Sequence, residues 1–155
     1  MTIASEICNS FKQEILVEGH NFTGSTDTFK LALYSSNSAV LSKSTTQWTV
    51  ATDPSATPTN TYEVSTDSTG YSSGGNSLTS TTPVVNGDSA CCLFATTTWG
   101  SSASFTARGC LIYNSSASDK AVCSINFGAD KTVTTGTFTI EFPAQTAGNA
   151  IIEIT

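Results

Sequence analysis

The side chains that could act in catalysis are few and widely spaced. A serine hydrolase needs a nucleophile, a histidine base and a carboxylate that orients the histidine. Gly87-Asp88-Ser89 has the composition of the start of a lipase nucleophile segment, but the single histidine, His20, lies far upstream. We therefore interpret Gly87 and Asp88 as a turn before a strand. His20, just past the end of a predicted helix, is interpreted as a helix-capping residue.

The acidic side chains do not predict a catalytic site either. Cleavage of a glycosidic bond requires two carboxylates on either side of the bond. Glu63, Glu141 and Glu153 each lie at a turn or on the polar face of a predicted strand, which is typical of a solvated surface. The glycine cluster between residues 70 and 75 precedes no helix, so it does not predict a phosphate loop. We therefore expect no enzyme activity, no catalytic residue, no cofactor and no small-molecule substrate.

The five cysteines do not have metal-ligand spacing. No C-x-x-C pair is present, and His20 is distant from all of them, so no metal site is predicted. We expect small, buried, apolar side chains in a reducing cytosol; the spacing alone leaves their thiol or disulfide state open. These residues are Cys8, Cys91, Cys92, Cys110 and Cys123.

Composition then narrows the fold. Of 155 residues, 27 are Thr and 23 are Ser, and only 12% are charged, about half the usual share. This composition disfavours long helices and leaves disorder or a β domain; patterned apolar runs favour the β domain. The net charge of −6, with one Arg and five Lys, argues against nucleic-acid binding. No apolar run approaches a membrane span, and the first residues lack signal-peptide features.

One helix is predicted at the N-terminus, over residues 3–18. Ile7, Phe11 and Ile15 recur at the helical period of one face. Thr2 is the predicted N-cap, and Gly19 is predicted to stop the helix.

After the helix the apolar period changes to two, which predicts strands. Residues 35–60 are rich in Ser, Thr, Asn and Pro and predict a long surface loop. We expect a mainly β fold: a single antiparallel β-sandwich or barrel-like domain over residues 1–155, preceded by one short N-terminal α-helix. Strands are predicted at 29–33, 89–99, 104–113, 121–127, 137–142 and 150–154, with turns at 114–120 and 128–136.

Charge is almost absent from the middle of the chain. Between Ser68 and Ala107 the only charged residue is Asp88. Charged side chains normally prevent strand edges from pairing with other molecules. This shortage of charged residues is compatible with a soluble polar surface, or with a surface that lies against other subunits.

Several segments stand in order between residue 3 and about residue 154: Ile3-Ala-Ser-Glu-Ile-Cys-Asn-Ser-Phe-Lys-Gln-Glu-Ile-Leu16, Phe29-Lys-Leu-Ala-Leu-Tyr34, Glu63-Val64, Gly70-Tyr71-Ser-Ser-Gly-Gly75, Ala107-Arg-Gly-Cys-Leu-Ile-Tyr-Asn114, and Ala121-Val122 through Phe127-Gly-Ala-Asp-Lys131. Taken together, these segments resemble a family of small structural proteins of tailed-bacteriophage virions. The resemblance implies a structural component of the particle, assembled in the host cytoplasm, and it implies no catalytic or metal residues.

The resemblance leads us to expect a capsid decoration, or cement, protein that stabilises the assembled shell. Its expected partners are the major capsid protein and further copies of itself, as a trimer. A neck, tail or baseplate component is the alternative. A receptor- or glycan-binding module, with Trp48, Trp99, Tyr62 and Tyr71 stacking on sugars, is a second one. The candidate contact residues are Ile7, Phe11, Ile15, Gly70, Tyr71, Gly74, Gly75 and Leu78.

Overall fold

The computed structural model describes residues 3–24, 26–35, 41–48, 62–66 and 70–155 of the chain. These residues form one α-helix, a short 3-10 helix at Ser115–Ala117 and eight strands. The helix is α1 (Asn9–Ile15). The strands are β1 (Glu6–Ile7), β2 (Phe29–Tyr34), β3 (Asn76–Leu78), β4 (Val84–Asn86), β5 (Ser89–Cys92), β6 (Thr97–Asn114), β7 (Lys120–Ile140) and β8 (Ile152–Ile154).

The strands form two antiparallel sheets that pack like a sandwich, which confirms the predicted fold class. The larger sheet has the order β1-β7-β6-β2-β3 and the smaller one the order β4-β5-β8. One cluster of buried side chains joins them: Phe29 of β2 contacts Phe94, which in turn contacts Phe142. Cys92 and Ile152 bring the smaller sheet into the same cluster. No helix among the described residues is long and apolar enough to cross a membrane.

The hairpin of β6 and β7 dominates the larger sheet, and its turn lies where the sequence predicts it. The Asn114 side-chain oxygen accepts hydrogen bonds from the N–H groups of Ser116 and Ala117. Ser118 and Asp119 then adopt left-handed conformations, with φ 58 and 59. These short polar side chains tolerate that geometry, which reverses the chain.

The second predicted turn, over residues 128–136, is wrong because β7 continues through it. Lys131 and Val133 pair with Ala107 and Phe105 of β6. The glycines and polar residues that suggested a turn instead occupy β-bulges, where β7 carries extra residues relative to β6. Bulges bend a strand without ending it. The predicted strand over 89–99 is likewise divided, since β5 ends at Cys92 and β6 starts at Thr97.

The predicted helix over residues 3–18 is also wrong at both ends. Residues 3–8 are extended, and Ile7 pairs with Cys123 of β7 instead of lying on a helical turn. This segment covers the edge of β7, because the Ser124 hydroxyl donates to the Ala4 carbonyl at 2.8 Å. The helix ends at Ile15, and the Gly19 N–H donates to the Glu14 carbonyl. The predicted cap Thr2 lies outside the described residues.

Only residues 41–48 and Ser35 of the predicted surface loop over 35–60 are described. This part packs onto the domain: Leu41 and Thr45 are fully buried. The indole of Trp48 stacks on the Tyr113 ring, with 5.5 Å between the ring centroids. The predicted final strand, over 150–154, is present in shortened form as β8.

Candidate functional site

An apolar groove lies between helix α1 and strand β8. We call it the α1–β8 groove; it has a volume of about 360 Å³. Its apolar lining residues are Ile7, Phe11, Ile15, Leu16, Ile152 and Ile154. Leu16 is 82% exposed and Ile154 is 53% exposed, and Val17, next to Leu16, is 72% exposed. Burying such side chains in a partner would contribute about 1.5–3 kcal/mol each.

Two charged residues flank this apolar surface, Lys12 on the helix and Glu153 on β8. Hydrogen bonds from the Ser89 hydroxyl and the Gly148 N–H hold the pKa of Glu153 below its usual value. The Gly148 N–H lies 2.8 Å from the carboxylate. A groove with an apolar floor and a charged rim has the chemistry of a contact site between proteins.

The structure brings together three of the predicted contact residues in this groove. Ile7 and Ile15 are half-buried at its wall, while Phe11 is 1% exposed and belongs to the core beneath it. Phe11 packs against the rings of His20 and Phe22. Phe11 therefore supports the groove from inside, and its direct contact with a partner stays a prediction.

The other predicted contact segment, Gly70–Leu78, serves the fold. Tyr71, Gly74 and Leu78 are buried in this fold, and their contact with a partner stays a prediction. The segment lies against the edge of β6, where the Asn76 side-chain amide donates to the Thr98 carbonyl at 3.0 Å. Gly70, which is exposed, approaches the backbone of Ala103 from the same side. Half-buried Gly75 lies over the backbone of Leu31 on β2.

The aromatic residues expected to stack on sugars are also largely internal. Trp99 and Tyr71 are 3% and 4% exposed, and their rings stack on each other with 6.1 Å between centroids. Trp48 already stacks on Tyr113, and Tyr62 is half-buried. Trp99 and Tyr71 therefore expose almost no ring surface in this fold, and a glycan-stacking role stays a prediction.

A second groove lies beside strand β7. We call it the β7 groove; it has a volume of about 470 Å³. Its apolar lining includes Ile125, Phe127, Phe138, Ile140, Phe142 and Ile151, and its charged lining residues are Lys131 and Glu141. A smaller depression of about 270 Å³ shares Ile125 and Ile151 with it and includes Ile7, which also lines the α1–β8 groove. The three depressions thus share lining residues.

A buried polar network surrounds His20, which the sequence placed as a helix cap. The imidazole is fully buried; its Nε2 lies 2.7 Å from Glu14 Oε2, and its Nδ1 lies 3.1 Å from Asn114 Nδ2. The Asn114 amide also donates to Asp27 at 2.7 Å. The capping interpretation is wrong, since His20 bonds a side chain and not the last helix carbonyls. Both ring nitrogens are engaged within the fold, so the imidazole has no nitrogen free to act on a substrate.

The remaining candidates for chemistry have structural roles. Gly87 and Asp88 form the β4–β5 turn, as predicted, and the Ser89 hydroxyl pairs with Thr155 at 3.2 Å. The five cysteines are buried and unpaired. Within the described ranges, no three His, Cys, Asp or Glu side chains gather closely enough to hold a metal ion.

Comparisons of the chain with protein-family models, with curated proteins and with solved structures found no match.

Proposed function

We propose that this protein is a structural component of a tailed-bacteriophage particle, and that it decorates the assembled capsid shell. The observation that carries the proposal is the exposure of two apolar side chains that line the α1–β8 groove, Leu16 and Ile154. Clusters of exposed apolar side chains around a groove are typical of protein interaction sites. The capsid protein is the proposed occupant of this groove.

Two features support this role. The sequence resemblance to tailed-phage virion proteins runs in order along nearly the whole chain, including the helix that forms one wall of the groove. The groove also joins α1 to β8, which are elements from opposite ends of the chain, so it exists only in the folded domain. A protein that binds the assembled shell and not free subunits stabilises the shell by mass action.

Particle reconstruction and quantitative gel densitometry of purified particles test the location. A decoration protein is expected on the outer shell in hundreds of copies per particle. A ring of three, six or twelve copies on the tail axis would instead establish the alternative, a neck, tail or baseplate component. Density confined to the tail would overturn the decoration proposal.

A matched pair of variants tests the surface. Leu16→Glu places a charge in the α1–β8 groove, while Val85→Glu places one on β4 at nearly the same exposure, 82% against 80%. Leu16→Glu is expected to lower the number of copies bound to purified shells at least about tenfold, since burying an unpaired charge is costly. Val85→Glu is expected to bind like the unmodified protein. Equal binding of both variants would exclude the α1–β8 groove as the contact.

A further inference from the structure

The loop between β4 and β5 contains the only asparagine of the sequence that is followed by a glycine. Asn86 ends β4 and pairs with Ser89 of β5, so Gly87 and Asp88 alone connect the two strands. All three loop residues from Asn86 to Asp88 are exposed. Gly87 has φ 62, and a Cβ built on it would meet nothing within 4 Å. A glycine of positive φ at the first position of a two-residue hairpin loop is typical of a type II′ turn, and this one is open to solvent.

The side-chain amide of Asn86 is bonded at its oxygen and free at its nitrogen. The Ala147 N–H donates to Asn86 Oδ1 at 3.2 Å. Within the part of the chain that the structure describes, neither Asn86 Nδ2 nor the Gly87 N–H has a hydrogen-bond partner. A donor on a carbonyl oxygen stabilises the negative charge that develops there when a nucleophile attacks the carbon. The Asn86 side chain is therefore an activated electrophile with an unhindered leaving group.

The nucleophile is the next backbone nitrogen, that of Gly87. Its attack on Asn86 Cγ closes a five-membered ring, which requires the peptide unit between the two residues to rotate out of the extended strand geometry. This rotation changes ψ of Asn86 and φ of Gly87 together, and glycine adopts either sign of φ at little cost. The rest of the hairpin need not open, since Val84 and Val85 remain paired with Cys91 and Ala90.

We propose that Asn86 is a site of spontaneous covalent modification in the folded protein, a deamidation through a succinimide that the Ala147 N–H promotes. The Gly87 nitrogen loses its proton to hydroxide and bonds to Asn86 Cγ. The bond between Cγ and Nδ2 then breaks, and ammonia leaves with a proton taken from solvent. Water opens the succinimide at either of its two carbonyls, which yields aspartate or isoaspartate at position 86. Water is the only co-reactant of the whole conversion.

The conversion changes the surface of the smaller sheet. Either product adds a negative charge beside exposed Asp88, at the end of a strand whose Val85 is 80% exposed. The isoaspartate form also adds a methylene to the backbone, so position 86 no longer matches Ser89 in the ladder. Because β4 is the outer strand of its sheet, this mismatch loosens the hairpin without disturbing a second neighbour. The inference does not depend on the capsid proposal.

Timed incubation of the purified, folded protein at pH 8, followed by peptide mapping with mass spectrometry, tests the proposal. The mass of each asparagine peptide reports conversion to the acid, and chromatography separates the aspartate and isoaspartate forms. Asn86 is expected to convert at least about tenfold faster than Asn149, which is also exposed but precedes Ala150, whose Cβ hinders the attack and the rotation. The rate at Asn86 is expected to rise with pH, because the attacking nitrogen must lose a proton.

A matched pair of variants at Ala147 separates the contribution of the fold from that of the local sequence. The Asn149 N–H donates to the Thr146 carbonyl, and Gly148 has φ 80, so Ala147 is the second residue of a type II turn, where proline is common. Ala147→Pro removes the N–H that bonds Asn86, and Ala147→Ser keeps it. Circular dichroism confirms that both variants are folded.

Ala147→Pro is expected to convert at Asn86 at least about threefold more slowly than Ala147→Ser, since one hydrogen bond to the developing charge is lost. The rate at Asn149 is expected to be the same in both variants. Conversion of Asn86 no faster than that of Asn149 would overturn the proposal. A rate at Asn86 in Ala147→Pro that equals or exceeds the rate in Ala147→Ser would overturn it as well.

Discussion

The phenol of Tyr71 donates a hydrogen bond of 2.6 Å to a carboxylate oxygen of Glu63. The same carboxylate oxygen accepts the Gly74 N–H, also at 2.6 Å, and the Tyr71 oxygen accepts the N–H of Leu33 at 2.9 Å. Glu63 thus holds the segment Gly70–Leu78, which lies against the edge of β6, close to strand β2. This half-buried carboxylate, a surface residue by its sequence pattern, is a structural element of the fold.

The stability contributed by Glu63 is expected to depend on pH. Burial raises the pKa of Glu63 above its ordinary value of 4.5, although hydrogen bonds from Tyr71 and Gly74 oppose the shift. Between the two pKa values the folded protein binds more protons than the unfolded chain, so stability falls as the pH rises through the folded value. The stability advantage of the unmodified protein over Glu63→Gln is therefore largest below about pH 4.5 and smaller at pH 8. Urea unfolding across this range measures it.

Glu153→Gln is a control for which the opposite pH dependence of stability is expected. Hydrogen bonds lower the pKa of Glu153, so its contribution is present above the unfolded pKa and is lost as the pH falls through the folded one. The stability difference between the unmodified protein and Glu153→Gln is expected to shrink on acidification. Parallel behaviour of the two variants would contradict the environment assigned to Glu63.

The network at His20 predicts one tautomer of its imidazole. The Asn114 oxygen accepts from the Ser116 and Ala117 N–H groups, at 3.1 and 3.2 Å, so its amide nitrogen must face His20 and Asp27. His20 Nδ1 is then the acceptor, and Nε2 carries the proton donated to Glu14. Long-range ¹⁵N–¹H spectra of the imidazole are expected to show a protonated Nε2 at neutral pH. A proton on Nδ1 would contradict the network.

Removing the amide tests what the network contributes to stability. Asn114→Leu leaves His20, Asp27 and the turn N–H groups without this partner. Because unsatisfied buried polar groups cost about 1–3 kcal/mol each, we expect a loss of at least about 2 kcal/mol in the free energy of unfolding. Asn149→Ala, at an exposed amide that donates to the Thr146 hydroxyl, is expected to change it by less than about 0.5 kcal/mol. Similar losses in both variants would contradict a special role for Asn114.

The five thiols are expected to resist modification in the folded protein. Burial raises the pKa of Cys8 and of Cys92 to about 12, and it also raises the pKa of Cys91, Cys110 and Cys123. Because the thiolate is the reactive form, a thiol reagent at pH 8 is expected to label the native protein slowly and to titrate five thiols after unfolding. Rapid native labelling, or fewer than five thiols without reductant, would contradict buried free cysteines.

The regular part of the fold could be predicted from periodicity alone. Phe138 and Ile140 face inward and Thr139 outward, as their alternation predicts. The sequence pattern predicted a turn over residues 128–136 where β7 continues, because bulges accommodate glycine and polar residues within a long paired strand. The pattern also failed at Ile7, whose inward face fits a helix or a strand equally well. Pairing with Cys123, far along the chain, decided between them.

The polar networks could not be predicted, because their members come from distant parts of the chain. Asn114 is 94 residues from His20 and 87 from Asp27. The α1–β8 groove was predicted in part, since Ile7, Phe11 and Ile15 were identified as one apolar face. Its other wall, Ile152 and Ile154, carries no signal that relates it to the helix.

Alanine substitutions at two glycines with similar backbone angles distinguish the cost of steric crowding from the cost of conformational strain. Gly75 has φ 71 and Gly87 has φ 62, so alanine is strained at either position. A Cβ on Gly75 would overlap the carbonyl of Leu31 and lie 2.9 Å from the Cα of Ala32, whereas one on Gly87 would meet nothing within 4 Å. Gly87→Ala is therefore expected to cost about 1 kcal/mol in the free energy of unfolding. Gly75→Ala must also push the segment that covers β6 away from β2, and we expect it to cost more than about 3 kcal/mol. Chemical denaturation of both variants measures the difference; equal losses would show that the two segments are not packed at Gly75.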